Sequence, residues 1–399
     1  MKQHDRYTVA IVGAGSGGIS VAARLVRQCK ELRGKVVLID PASHHYYQPL
    51  WTLVGAGVVN KQQTERPQQS LIPRGVTWLQ EAVYEFYPEE RYVLTEKGTQ
   101  VHYDCLVVAA GIQVNWDQIK GLRQAIGRDG VCSNYAYEHV DSTWKAIQSF
   151  KGGNAIFTLP NTPVKCGGAP QKIMYLADDH FRKAGVRDRS DVIFASAGTA
   201  IFAVKKYADA LQQVIARKSI TARYRRDLVE IRKDTKEAVF EHLDTKEQEI
   251  IPYDMIHVVP PMSAPDFIKR SLLADEAGWV DVDKFTLQHK RYPTVFALGD
   301  CSNLPTSKTG AAIRKQAPVV ANNLVSFLAG KPLQGSYDGY TSCPLVTGYN
   351  RLVLAEFDYD LEPRETFPFN QAKERYSMYV LKKQMLPFMY WHGMLKGRL

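Results

Sequence analysis

Tyr7-Thr8-Val9-Ala10-Ile11-Val12-Gly13-Ala14-Gly15-Ser16-Gly17-Gly18 is the stretch on which the fold turns. Its first half is short, β-branched and apolar, as a strand buried on both faces of a parallel sheet must be. Its second half, Gly13-x-Gly15-x-x-Gly18, predicts a turn into a helix over about 19–32, where Ile19, Ala22, Ala23 and Val26 recur at helical spacing. A second strand over 35–39 ends at Asp40 and completes a βαβ unit. In such a unit Gly13 makes the tight turn, Gly15 lets backbone N–H groups approach a pyrophosphate, and Gly18 allows close helix–strand packing. Asp40 stands where an acid accepts from a ribose hydroxyl. A glycine-rich turn without a ligand is the plain alternative, and the strand, helix and distal acid around it favour a dinucleotide.

The 399 residues leave room for two or three domains, and 45% hydrophobic with 23% charged residues excludes a disordered or fibrous chain. The 21 Tyr, 15 Phe and 6 Trp suit a flat or apolar ligand. A net charge of +10 invites an anionic partner, either a nucleic acid or an anionic membrane surface. No stretch approaches the roughly 18 uninterrupted apolar residues that a membrane span needs. The N-terminal residues show no signal or transit pattern, so neither export nor organelle import is expected. None of the six cysteines forms a C-x-x-C pair, so no metal site is expected, and a working thiol pair must be assembled in space.

Outward from the first unit, a hairpin-like region over about 78–101 leads into the buried strand Cys105-Leu106-Val107-Val108-Ala109-Ala110-Gly111. A second α/β pattern has strands near 154 and 191–194 and a helix over about 205–217, and 224–250 alternates like an antiparallel meander. The first domain resumes at Tyr292-Pro293-Thr294-Val295-Phe296-Ala297-Leu298-Gly299-Asp300. The expected class is therefore α/β, with two Rossmann-like domains, the second inserted in the first. Residues 1–115 and 280–335 form a dinucleotide-binding domain, 116–279 the inserted domain, and 336–399 a C-terminal segment.

Two features distinguish the cofactor. Gly299-Asp300 on the returning strand resembles the ribityl-binding Gly-Asp of flavoproteins with two dinucleotide domains, and Ala109-Ala110-Gly111 resembles their small-residue turn. FAD is therefore expected at the first site. In the second domain, Ala195-Ser196-Ala197-Gly198-Thr199-Ala200-Ile201-Phe202 has one glycine where a pyrophosphate turn wants two or three, and bulky Ile201 and Phe202 follow. The fold is duplicated but the second nucleotide site is lost, so electrons are expected from a small reductant.

Cys166 lies in Asn161-Thr162-Pro163-Val164-Lys165-Cys166-Gly167-Gly168-Ala169-Pro170-Gln171-Lys172. A thiol just ahead of a helix started by Pro170, flanked by Lys165 and Lys172, should be partly thiolate at neutral pH. A buried inert thiol is the alternative. Cys343 sits in Gly339-Tyr340-Thr341-Ser342-Cys343-Pro344-Leu345-Val346-Thr347-Gly348-Tyr349, read as a loop of turn formers; spacing alone cannot bring it to Cys166.

Four segments resemble the mitochondrial-like, type II branch of the sulfide:quinone oxidoreductases: residues 45–57 (HYYQPLWTLVGAG), NTPVKCGGAPQKIMYL, Leu304-Pro305-Thr306-Ser307-Lys308-Thr309, and YTSCPLVTGYNRLVLAEFDY. The resemblance runs from the first strand into the last aromatic segment. It implies that Cys166 and Cys343 are a redox-active pair. Sulfide would attack the bridged pair and leave a persulfide on Cys343, and the Cys166 thiolate would donate to FAD. Two electrons would pass to ubiquinone or menaquinone, and the sulfur to glutathione, sulfite or a second sulfide. Ser16, Gly17 and Gln48 would contact FAD, Val83 by its backbone, and Lys308 would place positive charge near the flavin ring, unless it is a solvated loop lysine. Residues 310–316 are more basic than in the mitochondrial form. Cys132 falls where bacterial relatives often carry a third cysteine, leaving a sulfur-handling role beside a structural one. Cys29, Cys105 and Cys301 read as packing residues.

The final stretch, YSMYVLKKQMLPFMYWHGMLKGRL (376–399), interleaves apolar and basic residues and is divided by Pro387. It suits an amphipathic segment in the headgroup region, against a terminal helix docked on the core. Phe357, Tyr359, Phe367, Phe369 and Tyr379 are candidates for an apolar quinone mouth, and His44 and His45 for proton carriers. The expectation is a peripheral membrane protein on the cytoplasmic face of a bacterial inner membrane, compatible with a homo-oligomer. The competing readings are a type II NADH:quinone oxidoreductase, a flavocytochrome-type sulfide dehydrogenase, and a nucleic-acid-binding module, the last lacking any motif.

Overall fold

The structure is a computed structural model and describes residues 5–399. The opening strand, Asp5–Val12, lies at the middle of a seven-stranded sheet. It pairs in parallel with Val36–Ile39 on one side and with Gln100–Val108 on the other. Val9, Ala10, Ile11, Leu106 and Val107 are wholly buried, as two covered faces require. Val76–Leu79 extends one edge in parallel, while Tyr92–Thr95 and Val83–Tyr87 continue the other as an antiparallel hairpin. The late strand Val295–Ala297 returns almost 190 residues after Gln100–Val108 and pairs with it in parallel.

The second sheet has five parallel strands, ordered Val131–Cys132, Met255–His257, Gly153–Leu159, Ser190–Ser196 and Thr221–Tyr224. The expected meander is the antiparallel trio Arg226–Arg232, Glu237–His242 and Gln248–Pro252. Helix Lys205–Lys218 begins nine residues after Ser196, beyond an irregular turn in which Ile201 is buried and Phe202 packs edge-on against Phe357 at 5.8 Å. A turn filled by side chains in this way has no open glycine cradle for a phosphate. The architecture is α/β, two Rossmann-like sheets followed by a C-terminal segment.

Two expectations change at the C-terminal end. The Cys343 region is not a loop: Thr341–Gly348 and Arg351–Phe357 form an antiparallel ribbon in which Cys343 faces Ala355. Pro344, on this two-stranded edge, costs no ladder bond that a central strand would need. Nor does Pro387 divide the tail. Tyr376–Val380, the π-turn Leu381–Met385 and Leu386–His392 run as one helical rod, with Pro387 in the first turn of its last part, where a missing N–H is tolerated. Among the described residues no helix is long and apolar enough to cross a membrane.

Candidate active site

The two candidate cysteines come together from three segments. Cys166 precedes the helix Ala169–Lys183, and its own backbone is left-handed, φ +56°. A non-glycine residue there is strained and must be held by its surroundings. The Cys166 N–H donates to the Lys308 carbonyl at 2.9 Å, and its carbonyl accepts from Ala169 N–H at 2.8 Å. Cys343 arrives on the ribbon, 177 residues later, with its Sγ 3.6 Å from Cys166 Sγ. That separation exceeds a disulfide bond of about 2.05 Å, so the two are thiols in contact. Gly168 makes the approach possible: a Cβ there would lie 2.6 Å from Cys343 Sγ and 2.5 Å from Leu345 Cδ2.

Charge breaks the symmetry of the pair. The hydrogen bond from Cys343 holds the Cys166 thiol well below its usual range, and the Lys172 ammonium, 3.1 Å from Cys166 Sγ, helps against the cost of burial. The same shared proton, with burial, pushes Cys343 well above its usual range. Negative charge is thus favoured on Cys166, beside the Lys172 ammonium, over Cys343. Burial works against the charged form of Lys172, but the two sulfurs outweigh it and raise its pKa. Lys165, the other expected neighbour, turns away: its Nζ donates to the Tyr135 carbonyl at 3.3 Å and sits 5.4 Å from the Trp51 ring centre.

A further lysine comes from the tail. Lys382, one of the basic residues of the tail, is 3% exposed and donates to the Pro49 carbonyl at 3.0 Å, and its charge acts on both sulfurs. Burial, with the nearby Lys172 ammonium, pushes its pKa down to about 7. Lys382 lies within the π-turn Leu381–Met385, and no local pattern in the sequence announces its burial.

The dinucleotide loop is built as the motif requires. A Cβ on Gly13 would lie 2.4 Å from the Ala109 carbonyl oxygen and one on Gly18 1.8 Å from that of Gly13. At Gly15 and Gly111 a Cβ would meet nothing within 4 Å, so both face open space. The helix Ser16–Gln28 has neither a side-chain cap nor an acid in its first turn, leaving its N–H groups for an anion. Asp40 is partly exposed; its carboxylate accepts from Ala14 N–H at 2.6 Å and from Ala42 N–H at 2.8 Å, bracing the loop. Gly17 packs beside Leu298 and Ala109, Ala110 lies partly buried beside it, Gln48 is exposed, and Val83 is buried at the start of its strand.

Gly299, Asp300, Leu304, Lys308, Thr309 and Ile313 line one small cleft. Burial raises the Asp300 carboxyl, opposed by Lys308 and Lys165. Lys308 is not a solvated loop lysine. Its Nζ donates to the carbonyls of Asp300 and Ser302 and lies 3.9 Å above the Trp279 ring, while its carbonyl holds Cys166. It therefore ties the Gly-Asp turn to the cysteine loop.

Other expected residues disperse. His45 is buried and neutral, its pKa lowered to about 4 by burial, whereas His44 is exposed. Cys132 is fully buried beneath the Ile256 carbonyl, with its pKa pushed up to about 12, which suits packing and not sulfur chemistry. Cys105 and Cys301 are buried and raised too, and Cys29 is partly exposed beside Glu31. Of the five aromatics, Phe357 meets Phe202, Tyr359 meets Tyr337 at 5.5 Å, Phe367 stacks on Phe369 at 5.3 Å, and Tyr379 is buried, all within or against one hydrophobic cluster.

Against known proteins, residues 7–147 match the family of pyridine nucleotide-disulphide oxidoreductases. Over 394 residues the chain is 51% identical to the mitochondrial sulfide:quinone oxidoreductase of Mus musculus, covering 98% of this chain and 87% of that protein. The chain belongs to the sulfide:quinone oxidoreductase family. The mitochondrial member from Schizosaccharomyces pombe is 42% identical over 97% of this chain and 89% of its own length. The solved sulfide:quinone oxidoreductase of Aquifex aeolicus shares the fold, with a TM-score of 0.83 at 19% identity over 99% of this chain and 92% of that one. FAD is the cofactor of this family, and the open glycine turns, uncapped helix and Gly-Asp cleft fit it.

Proposed function

We propose that this protein oxidises hydrogen sulfide through Cys166 and Cys343 and delivers two electrons by way of FAD to a membrane quinone. The observation that carries the reading is the 3.6 Å contact of the two sulfurs beside Lys172. Starting from the oxidised, bridged pair, hydrosulfide attacks the Cys343 sulfur. A new S–S bond forms there, the bond toward Cys166 breaks, its electron pair leaves on Cys166, and the hydrosulfide proton goes to solvent. The polarity follows from the charges: a lower-pKa thiol leaves faster, and Lys172 receives the thiolate in place. The persulfide sulfur then passes to an acceptor nucleophile, glutathione, sulfite or a second sulfide, which takes the outer sulfur and leaves the Cys343 thiol.

Bound FAD supplies the two-electron acceptor for the thiolate and the donor to quinone. Gly13, Gly15, Ser16, Gly17, Gly18 and Asp40 would hold its dinucleotide half. Ala110, Gly111, Gly299 and Asp300 would hold the flavin half, with Lys308 fixing their turn against the cysteine loop and Gln48 and Val83 at its margins. The domain division at 1–115 with 280–335, 116–279 and 336–399 belongs to this proposal, supported by the two separate sheets.

The tail gives access to a lipid-dissolved quinone. Its inner face is docked, with Tyr379, Tyr390 and Trp391 buried, while Tyr376, Met385 and Phe388 are 64, 54 and 66% exposed. The docked inner face agrees with a terminal helix packed on the core, and the exposed apolar outer face supports contact with a membrane surface. The relatives are named as mitochondrial, which gives no support to a bacterial inner-membrane face. The test is an anaerobic spectrum: sulfide should bleach the flavin and develop a thiolate–flavin charge-transfer band, and NADH should do neither. Bleaching by NADH with no response to sulfide would refute the reading.

A further inference from the structure

The C-terminal helix reaches the dinucleotide loop itself. The Tyr390 hydroxyl lies 2.6 Å from Ser16 Oγ, across 374 residues, and also hydrogen-bonds Nε2 of His45. His45 Nδ1 in turn faces the Ala14 carbonyl at 3.3 Å, and Gln68 Nε2 donates to the same carbonyl at 2.7 Å. A carbonyl can only accept, so Nδ1 of the neutral His45 carries the proton and Nε2 is the acceptor. The Tyr390 O–H therefore donates to His45, and its oxygen accepts from Ser16. The bonds run one way, Ser16 to Tyr390 to His45 to Ala14, and close a ring around the turn Ala14-Gly15-Ser16.

The tail is held over that turn by more than Tyr390. Its ring packs on Tyr47, centres 4.5 Å apart, and Trp391 lies under the Arg66 guanidinium at 5.0 Å. Arg27, from the helix that starts at Ser16, donates to the Lys396 carbonyl at 3.2 Å, and Arg24 donates to the Leu399 carbonyl. Gly397 sits so close to Ala23 and Arg24 that a Cβ would come within 3 Å of their backbone.

We propose that Tyr390 is a positioning residue for the flavin-binding loop, through which the membrane-facing helix keeps Ala14–Ser16 in the shape that receives the pyrophosphate of FAD. It rests on the reading that FAD occupies that loop. Tyr390 does not touch the reacting sulfurs; its effect is on how long the flavin stays, and seating the helix's outer face on a membrane steadies the same contact from behind.

Tyr390→Phe removes the hydroxyl and keeps the ring stacked. In flavin-loaded protein, release of FAD, followed as the rise of free-flavin fluorescence after dilution, should quicken about threefold to tenfold, the worth of one hydrogen-bonded node. Ser16→Ala should quicken release as well, and the double variant should fall short of the two single effects combined, because both variants lose the shared Ser16–Tyr390 bond. Vesicles containing anionic lipid should slow release from the wild type and leave Tyr390→Phe unmoved. Unchanged or slower release in Tyr390→Phe, or effects that add in the double variant, would overturn the positioning role. Wild-type protein purified without any FAD would overturn the functional reading instead.

Discussion

Gly168→Ala is a one-carbon test of the assembled cysteine pair. Gly168 has φ −85° and ψ −10°, a conformation alanine adopts freely, and as the N-cap of the helix its exchange for alanine costs only about 0.5 kcal/mol. Its main cost is collision. The new Cβ would stand 2.6 Å from Cys343 Sγ and 2.5 Å from Leu345 Cδ2, whereas ordinary contact begins at 3.4 Å. The ribbon or the cysteine loop must therefore give by about 0.8 Å. Overpacking of this kind costs roughly 1–3 kcal/mol, which the fold can absorb. The chemistry is less tolerant: a misplacement of about 1 Å at reacting atoms costs on the order of 100-fold in rate. Sulfide-dependent quinone reduction by the flavin-loaded variant should fall by roughly that factor. Its melting temperature should drop by only a few degrees, and its flavin spectrum should remain that of the wild type. A variant that keeps full turnover would refute the placement of Cys343 against the start of the Ala169–Lys183 helix. Loss of flavin or of folding together with activity would refute the claim that the damage is confined to the sulfur pair.

Cys166→Ser and Cys343→Ser, each with FAD bound, should lose sulfide-dependent quinone reduction, and full activity in either would remove the pair from the mechanism. Lys172→Met should raise the Cys166 pKa by about one to three units, read from ultraviolet thiolate absorbance, because it deletes the cation beside that sulfur. Lys382 has a folded pKa of about 7 against about 10.4 in an unfolded chain, so between those values the unfolded state binds the extra proton. This group's contribution to stability therefore rises with pH from about 7 to 10, and Lys382→Met should flatten the slope of melting temperature against pH across that window. An unchanged slope would place the lysine in solvent. Finally, Met385→Ser with Phe388→Ser should release the protein from sedimenting vesicles while leaving its flavin in place, since both side chains point outward.

The dinucleotide half of the site was legible from local order. A buried strand, three spaced glycines, a helix and Asp40 are consecutive, and the physics that selects them, a tight turn and a bare helix N-terminus, acts over a few residues. The late Gly299-Asp300 was readable for the same reason. The disposition of the cysteine pair was not. Cys343 follows residues that favour turns, yet it is drawn into a strand by pairing with Arg351–Phe357, and Gly168 and the Lys308 carbonyl, distant in sequence from it, help fix where the two sulfurs meet. Lys165 is adjacent to Cys166 and Lys172 six residues on, yet the helix brings Lys172 to the sulfur while the preceding loop sends Lys165 to Trp51. In the tail, composition established an amphipathic segment. That Lys382 is buried against Pro49, and that Tyr390 reaches Ser16, depend on packing between segments 333 and 374 residues apart. Local spacing carries the short-range terms, and contacts between distant segments are settled when the whole chain has chosen which surfaces to bury.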